Sequence, residues 1–214
     1  MIGDLRLKVC GLTSAADADA AVRIGADYLG FIFYPKSPRA VALADFCVLA
    51  DSLPAAPKVA VCVEPHVTDL AALGEAGCSF FQVHFRAELP LALIEAWSLQ
   101  VGPERLWLAP KLPPTADLHP AWLPFARTFL VDTYDPDKFG GTGKTGDWSK
   151  FAAHQRAHPA HTWILSGGLN PANVAEAVAQ SGARFVDVNS GVESAPGVKD
   201  AVRLQAFADA VRRR

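Results

Sequence analysis

An apolar run, Phe129-Leu130-Val131, ends in Asp132-Thr133 and is followed by Gly140-Gly141-Thr142-Gly143-Lys144-Thr145. That order describes a strand delivering a carboxylate to a loop whose backbone can approach a ligand closely. Successive N–H groups in such a loop favour an anion, which makes Gly141, Thr142 and Gly143 candidate phosphate contacts. Gly143-Lys144-Thr145 imitates the end of a nucleotide-binding P-loop. That motif needs a glycine five positions earlier, where this chain has Lys138, so the spacing fails.

Other residue types suited to chemistry also stand at the ends of apolar runs. Cys10 closes the first, after Lys8-Val9 and before Gly11. As a thiolate it could take a proton from carbon, but its ordinary pKa near 8.5 must first be lowered by positive charge. The bland alternative is a small buried hydrophobe, the reading taken for Cys47, Cys62 and Cys78. Asp132 could act as a general acid if burial or a neighbouring anion keeps it partly protonated, or it could merely cap its loop. Asp187 competes for the same role. Arg39, held between Pro38 and the exit of the second run, could clamp a carboxylate or phosphate bidentately. Gln82 and His84 end the fourth run, as substrate contacts or as a satisfied polar pair. Gly167-Gly168 and Ser190-Gly191 follow the seventh and eighth runs and are candidates for holding a phosphate.

These positions require a scaffold that aligns strand ends. Candidate strands are 5–10, 28–33, 58–63, 80–84, 105–112, 128–132, 162–166 and 184–188. Helical segments are expected at 14–24, 43–52, 67–76, 90–101, 118–125 (weakly), 147–157, 171–180 and 197–213. Asn170-Pro171 is expected to place a capping side chain before a first-turn proline, and Ser14…Asp17 forms a looser capping box. Gly25, Gly77 and Gly182 stand where a left-handed residue ends a helix. Eight strand–helix units without a linker argue for one closed (β/α)8 TIM barrel spanning 1–214. Its fifth unit, with Pro110, Pro113, Pro114, Pro120 and Pro124, should be irregular. An open doubly wound sheet is the alternative, but the Gly-x-Gly-x-x-Gly turn after the first strand is missing. In a TIM barrel the functional groups gather at the C-terminal ends of the strands, where every candidate above stands.

Composition narrows the partners. Of 214 residues, 20 are Lys or Arg and 22 Asp or Glu, a net charge of −2 that offers no footprint for nucleic acid or an acidic membrane surface. No uncharged apolar run is long enough to span a bilayer, and no secretory signal is visible. Four scattered cysteines, without Cys-x-x-Cys spacing, are expected to be free thiols in a reducing cytoplasm. The six histidines form no ligand pair at helical spacing, so no metal site is expected.

The chain resembles the phosphoribosylanthranilate isomerases, the Amadori isomerases of tryptophan biosynthesis. The resemblance is carried by Lys8-Val9-Cys10-Gly11-Leu12-Thr13, Gly30-Phe31-Ile32-Phe33 with Lys36-Ser37-Pro38-Arg39, and Phe81-Gln82-Val83-His84. It continues through Leu130-Val131-Asp132-Thr133 with Gly140-Gly141-Thr142-Gly143 and Asp147-Trp148, then Ser166-Gly167-Gly168-Leu169-Asn170-Pro171. It ends in Val186-Asp187-Val188, Ser190-Gly191-Val192-Glu193 and Pro196-Gly197-Val198-Lys199-Asp200. It runs in order over nearly the whole chain. The resemblance implies a cofactor-independent aldose–ketose isomerase acting on N-(5-phosphoribosyl)anthranilate; the sequence leaves monomer or homodimer open. It implies Asp132 as general acid, Cys10 as general base, Arg39 on the anthranilate side and the glycine loops on the phosphate.

The chain departs from the family pattern at Phe85-Arg86, where glycine commonly follows His84, and at Glu64, where asparagine is more usual. Asn189 stands in place of a frequent serine, and Gly146 in place of an aromatic. A related barrel, the histidine-pathway sugar-phosphate isomerase, runs the same rearrangement but resembles this chain less, because its first strand ends in aspartate rather than Cys10. A non-catalytic phosphosugar-binding barrel is the reading from a different class.

Overall fold

The structure is a computed structural model that describes residues 2–113, 115–132 and 147–213. Eight parallel strands close on themselves in chain order, with β1 paired to both β2 and β8. They are β1 (Arg6–Val9), β2 (Tyr28–Ile32), β3 (Lys58–Val63), β4 (Phe80–Arg86), β5 (Leu106–Lys111), β6 (Thr128–Val131), β7 (Thr162–Leu165) and β8 (Phe185–Val188). The intervening helices are α1 (Ala15–Arg23), α2 (Leu43–Ala50), α3 (Val67–Glu75), α4 (Leu91–Val101), α5 (Trp148–Ala157) and α6 (Val174–Ser181), and α7 (Ala201–Arg212) follows the last strand. The expected TIM barrel is therefore the fold.

Period-two alternation divides each strand between two cores. Outward residues such as Leu7, Val9, Leu29, Phe31 and Val83 pack beneath the helices. Inward residues Val59, Val61, Trp107, Ala109, Leu130, Ile164 and Phe185 fill the barrel, and Cys10 belongs with them. Four rings plug the lower end: Tyr28 lies 5.2 Å from Phe185, 5.5 Å from Phe80 and 5.1 Å from Trp107. Arg6 places its guanidinium 4.8 Å from the Phe185 ring. With that end filled by aromatic packing, the mouth at the C-terminal ends of the strands is where polar side chains can gather.

The fifth unit is irregular, as the prolines require. A 3-10 helix, Pro120–Phe125, stands in place of an α-helix. Strand β5 pairs with β4 through Lys111, but its pairing with β6 covers only Trp107 and Leu108. Pro110 has no N–H to extend that ladder.

Three local expectations need correction. Helix α6 begins at Val174 rather than Pro171. Asn170 Oδ1 accepts from the Ala172 N–H at 2.8 Å, and Asn173 Oδ1 accepts from the Asn170 N–H at 2.8 Å. These bonds hold 170–173 in a side-chain-supported turn that competes with the helix. The last helix begins at Ala201, capped by Asp200, because the preceding residues form an antiparallel hairpin of β9 (Glu193–Ala195) and β10 (Val198–Lys199). Strands of two and three residues are too short to carry a periodic signal. Ser14 Oγ accepts from the Asp17 N–H, but Asp17 Oδ2 turns to the Lys199 N–H at 3.1 Å instead of closing the expected box; Gly182 ends α6 at φ 68° as expected.

Candidate active site

Strand β1 runs Arg6-Leu7-Lys8-Val9, so Lys8 and the following Cys10 both face the barrel interior. Both are buried, Lys8 completely and Cys10 to 4% exposure. Room for them comes from Gly30 on β2. A Cβ there would lie 2.9 Å from Lys8 Cε and 3.0 Å from Cys10 Sγ, closer than a real side chain tolerates. Opposite Lys8 in the register with β8 stands Asp187. Its Oδ1 accepts from Lys8 Nζ at 2.9 Å and its Oδ2 from Ser166 Oγ at 3.4 Å. Asp187 thus sits one layer below the rim, engaged by Lys8 and Ser166.

Burial pushes the Cys10 thiol above its ordinary range; Lys8 pulls it down, Asp187 pushes it up, and Lys199 pulls it down. For Lys8, burial favours the neutral amine, yet Asp187 and Cys10 hold its pKa above the usual lysine value. The interior therefore contains a charged ammonium beside a thiol and a carboxylate.

Asp132 follows β6 as Cys10 follows β1, at the same end of the barrel. The alternation of β6 assigns it to the face of Leu130, which packs in the same interior cluster as Cys10. Asp132 is half-buried. Strands β7 and β8 lie between the two positions around the ring. The candidate acid and base are thus brought to one mouth.

Arg39 reaches that mouth from the loop after β2, where Val41 donates to the Ile32 carbonyl at 2.9 Å and ties the loop back to the strand. Its guanidinium is already engaged: Nε donates to Glu193 Oε1 at 2.8 Å, and Nη2 to Oε2 at 2.7 Å. Lys199 Nζ donates to the same carboxylate at 2.8 Å and to Asn189 Oδ1 at 2.9 Å. Any clamp on a substrate carboxylate must use the part of Arg39 that Glu193 leaves open. Burial pushes the Glu193 carboxyl up, but Arg39 and Lys199 bring it below the usual range.

Gln82 is buried on β4, its Nε2 2.7 Å from Nε2 of the half-buried His84. Burial, with Lys8 nearby, pushes the His84 pKa down to about 3, so the ring is neutral near pH 7. The amide N–H then donates to an unprotonated Nε2, which leaves the ring proton on Nδ1. Gln82 Oε1 is buried with no hydrogen-bond partner among the described residues.

The loops after β7 and β8 meet. A Cβ at Gly191 would stand 2.0 Å from the Leu169 carbonyl oxygen, so glycine alone permits the contact. Gly168, at φ 65°, offers its carbonyl to Asn170 Nδ2 at 3.2 Å and Asn173 Nδ2 at 3.0 Å. Ser190 opens a short 3-10 helix, Ser190–Val192, whose Gly191 packs against Leu169 and Asn170. The candidates Gly141, Thr142 and Gly143 lie outside the described residues. Among those described, no group of His, Cys, Asp and Glu could hold a metal ion, and no helix is long and apolar enough to cross a membrane.

Lys8, Glu193 and Lys199 are charged groups of the site that the sequence does not single out. For Lys8 a signal was available: it shares the inward parity of Cys10, two residues on. Glu193 and Lys199 had none beyond their place in the final motif, because the hairpin that presents them has no local pattern.

Residues 7–210 match the family model of N-(5'-phosphoribosyl)anthranilate (PRA) isomerase. The N-(5'-phosphoribosyl)anthranilate isomerase of Cellvibrio japonicus is 37% identical over 211 residues, covering 95% of this chain and 91% of the relative. The one of Paracoccus denitrificans is 39% identical over 206 residues, 94% of each. Among solved structures, the phosphoribosyl anthranilate isomerase of Thermotoga maritima superposes with a TM-score of 0.82 at 32% identity, over 98% of this chain and 100% of its own. A phosphoribosyl anthranilate isomerase solved in complex with reduced 1-(o-carboxyphenylamino)-1-deoxyribulose 5-phosphate superposes with a TM-score of 0.77 at 28% identity, again over 98% and 100%. Taken with the closed barrel and the groups at its mouth, these likenesses make the chain a member of the N-(5'-phosphoribosyl)anthranilate isomerase family.

Proposed function

We propose that this isomerase converts N-(5-phosphoribosyl)anthranilate to 1-(2-carboxyphenylamino)-1-deoxyribulose 5-phosphate with Asp132 as general acid and Cys10 as general base, and without a cofactor. Asp132 protonates the ribose ring oxygen; the C1–O bond breaks as the anilino nitrogen lone pair forms a protonated Schiff base. Cys10, as thiolate, removes the C2 proton. The released electron pair forms C1=C2 while the C=N pair returns to nitrogen, and the resulting enolamine tautomerises to the C2 ketone. The observation that carries this reading is the arrival of Cys10 and Asp132 at the ends of β1 and β6, at the open end of a barrel plugged below by aromatic rings.

In this reading Arg39 faces the anthranilate carboxylate, and Gln82 and His84 line the mouth above Asp187. Gly141, Thr142, Gly143, Gly167, Gly168, Ser190 and Gly191 bind the distal phosphate through backbone N–H groups and the serine hydroxyl. Residues 1–214 act as one catalytic domain, as monomer or homodimer; one Thermotoga maritima relative is described as monomers generated from a dimer. The cytoplasm is the compartment that supplies its phosphosugar substrate.

The test follows the fluorescence of phosphoribosyl-anthranilate mixed with purified protein. Wild type is expected to consume it, and Cys10→Ala and Asp132→Asn each to lose at least about 100-fold in turnover while melting as wild type does. Near-normal turnover by either variant rejects its assigned role. Arg39→Met should raise KM, and an unchanged KM rules out the clamp. Turnover of the histidine-pathway aminoaldose phosphate instead would reassign the substrate; binding without turnover would leave a phosphosugar-binding barrel.

A further inference from the structure

We propose that Lys8 is a positioning residue that makes the reactive thiolate of Cys10 accessible by offsetting its burial, with Asp187 anchoring the Lys8 ammonium. The proposal rests on the assignment of Cys10 as the base and adds what makes that base available.

Lys8 is completely enclosed, and its Nζ is 2.9 Å from an Asp187 that is 6% exposed. A buried ion pair is a weak source of stability, because desolvating both charges consumes most of what their attraction returns. An apolar pair of similar volume would fill the barrel as well. The pair lies next to the thiol: Lys8 Cε and Cys10 Sγ both crowd the position that a Gly30 Cβ would occupy. Gly30 therefore gives up a side chain in mid-strand at the point where ammonium and thiol come together.

The other charges around Cys10 are committed elsewhere. Arg39, from the loop after β2, and Lys199, from β10, share the Glu193 carboxylate. His84 on β4 is neutral near pH 7. Asp132 after β6 and Lys111 at the end of β5 stand at the mouth on the far side of the barrel from β2. On β1 itself, Lys8 is the cation two residues below the thiol. Its charge stabilises a thiolate while burial and Asp187 oppose one, and of the charged neighbours its influence on Cys10 is the largest. Asp187 keeps the ammonium protonated where burial alone would strip it.

The experiment titrates the thiol directly. Thiolate ultraviolet absorbance against pH, taken as the difference from Cys10→Ala, isolates Cys10 from the other three cysteines in the free enzyme. Lys8→Met is expected to move the midpoint up by at least about one unit, leaving roughly a tenth of the thiolate at a pH below both midpoints. The acid limb of the kcat profile should move with it, and Lys8→Arg, which keeps the cation, should restore most of both. Because Lys8→Met strands a buried carboxylate, Lys8→Met/Asp187→Asn serves as the second variant. Its midpoint should lie between those of wild type and Lys8→Met. A folded variant of either kind with an unchanged midpoint and limb overturns the proposal. That failure is distinct from failure of the catalytic assignment, which Cys10→Ala turnover reads on its own.

Discussion

Arg39 and Glu193 form a two-point ion pair, with Nε to Oε1 at 2.8 Å and Nη2 to Oε2 at 2.7 Å, although 154 positions separate them in the chain. Lys199, fully buried, binds the same carboxylate at 2.8 Å. One glutamate on the β9–β10 hairpin thus fixes the arginine that enters the mouth from the loop after β2.

Removing that carboxylate strands a buried ammonium and frees the guanidinium. Glu193→Ala is expected to lose about 3 kcal/mol of stability in urea unfolding, the scale for breaking a buried pair. KM should rise as Arg39 loses its orientation. The pair's contribution is complete above pH 4.5, the ordinary carboxyl value, and is lost as pH falls through the lowered folded value. A stability loss under about 1 kcal/mol, or one with no acid dependence, contradicts the pairing.

His84 binds a proton readily when unfolded and reluctantly when folded, at about 3 against 6.5. Between those values the unfolded state holds more protons, so stability rises with pH and is lost as pH falls from 6.5. The slope is at most about 1.4 kcal/mol per pH unit. Replacing His84 with Gln should flatten this part of the stability–pH curve; an identical curve in the variant counts against a ring kept neutral in the folded state.

Glu64 takes φ 44°, the one non-glycine left-handed residue among those described, and binds Arg86 through both oxygens at 2.7 and 2.9 Å. The pair ties the β3 exit to the end of β4. Glu64→Asn and Glu64→Val both remove the carboxylate, so their difference isolates the backbone. The asparagine variant should be more stable by about 1–2 kcal/mol, since a β-branched side chain clashes in that conformation. Equal thermal stability of the two would mean the backbone is relaxed there.

Gly30→Ala inserts a methyl group 2.9 Å from Lys8 Cε and 3.0 Å from Cys10 Sγ. Overpacking of this kind costs about 1–3 kcal/mol. A displaced base should cost about 100-fold in kcat, because a shift of about 1 Å in a reacting group has that scale. Full activity in a folded Gly30→Ala protein would show that the thiol has room to move.

Much of the scaffold was legible because it is written in local order. Tyr28-Leu29-Gly30-Phe31-Ile32 and Lys58-Val59-Ala60-Val61-Cys62-Val63 read as strands because apolar residues cluster within them and turns bound them. Once eight such runs imply a barrel, Cys10, Asp132, Gly168 and Gly191 are assigned to one rim without any contact being known. The β9–β10 hairpin and the late start of α6 were not legible, since each is held by side-chain bonds rather than by a periodic pattern.

By itself the chain order determined a closed (β/α)8 barrel, the residues at its mouth and the resemblance to a family of isomerases. Only the folded molecule decided that Lys8 meets Asp187 across 179 positions, that Glu193 holds both Arg39 and Lys199, and that Gly30 stands empty for a thiol and an ammonium. The reason is one of range. Strand and helix patterns arise between residues a few positions apart, whereas the charge state of a buried group depends on which distant partners barrel closure brings against it.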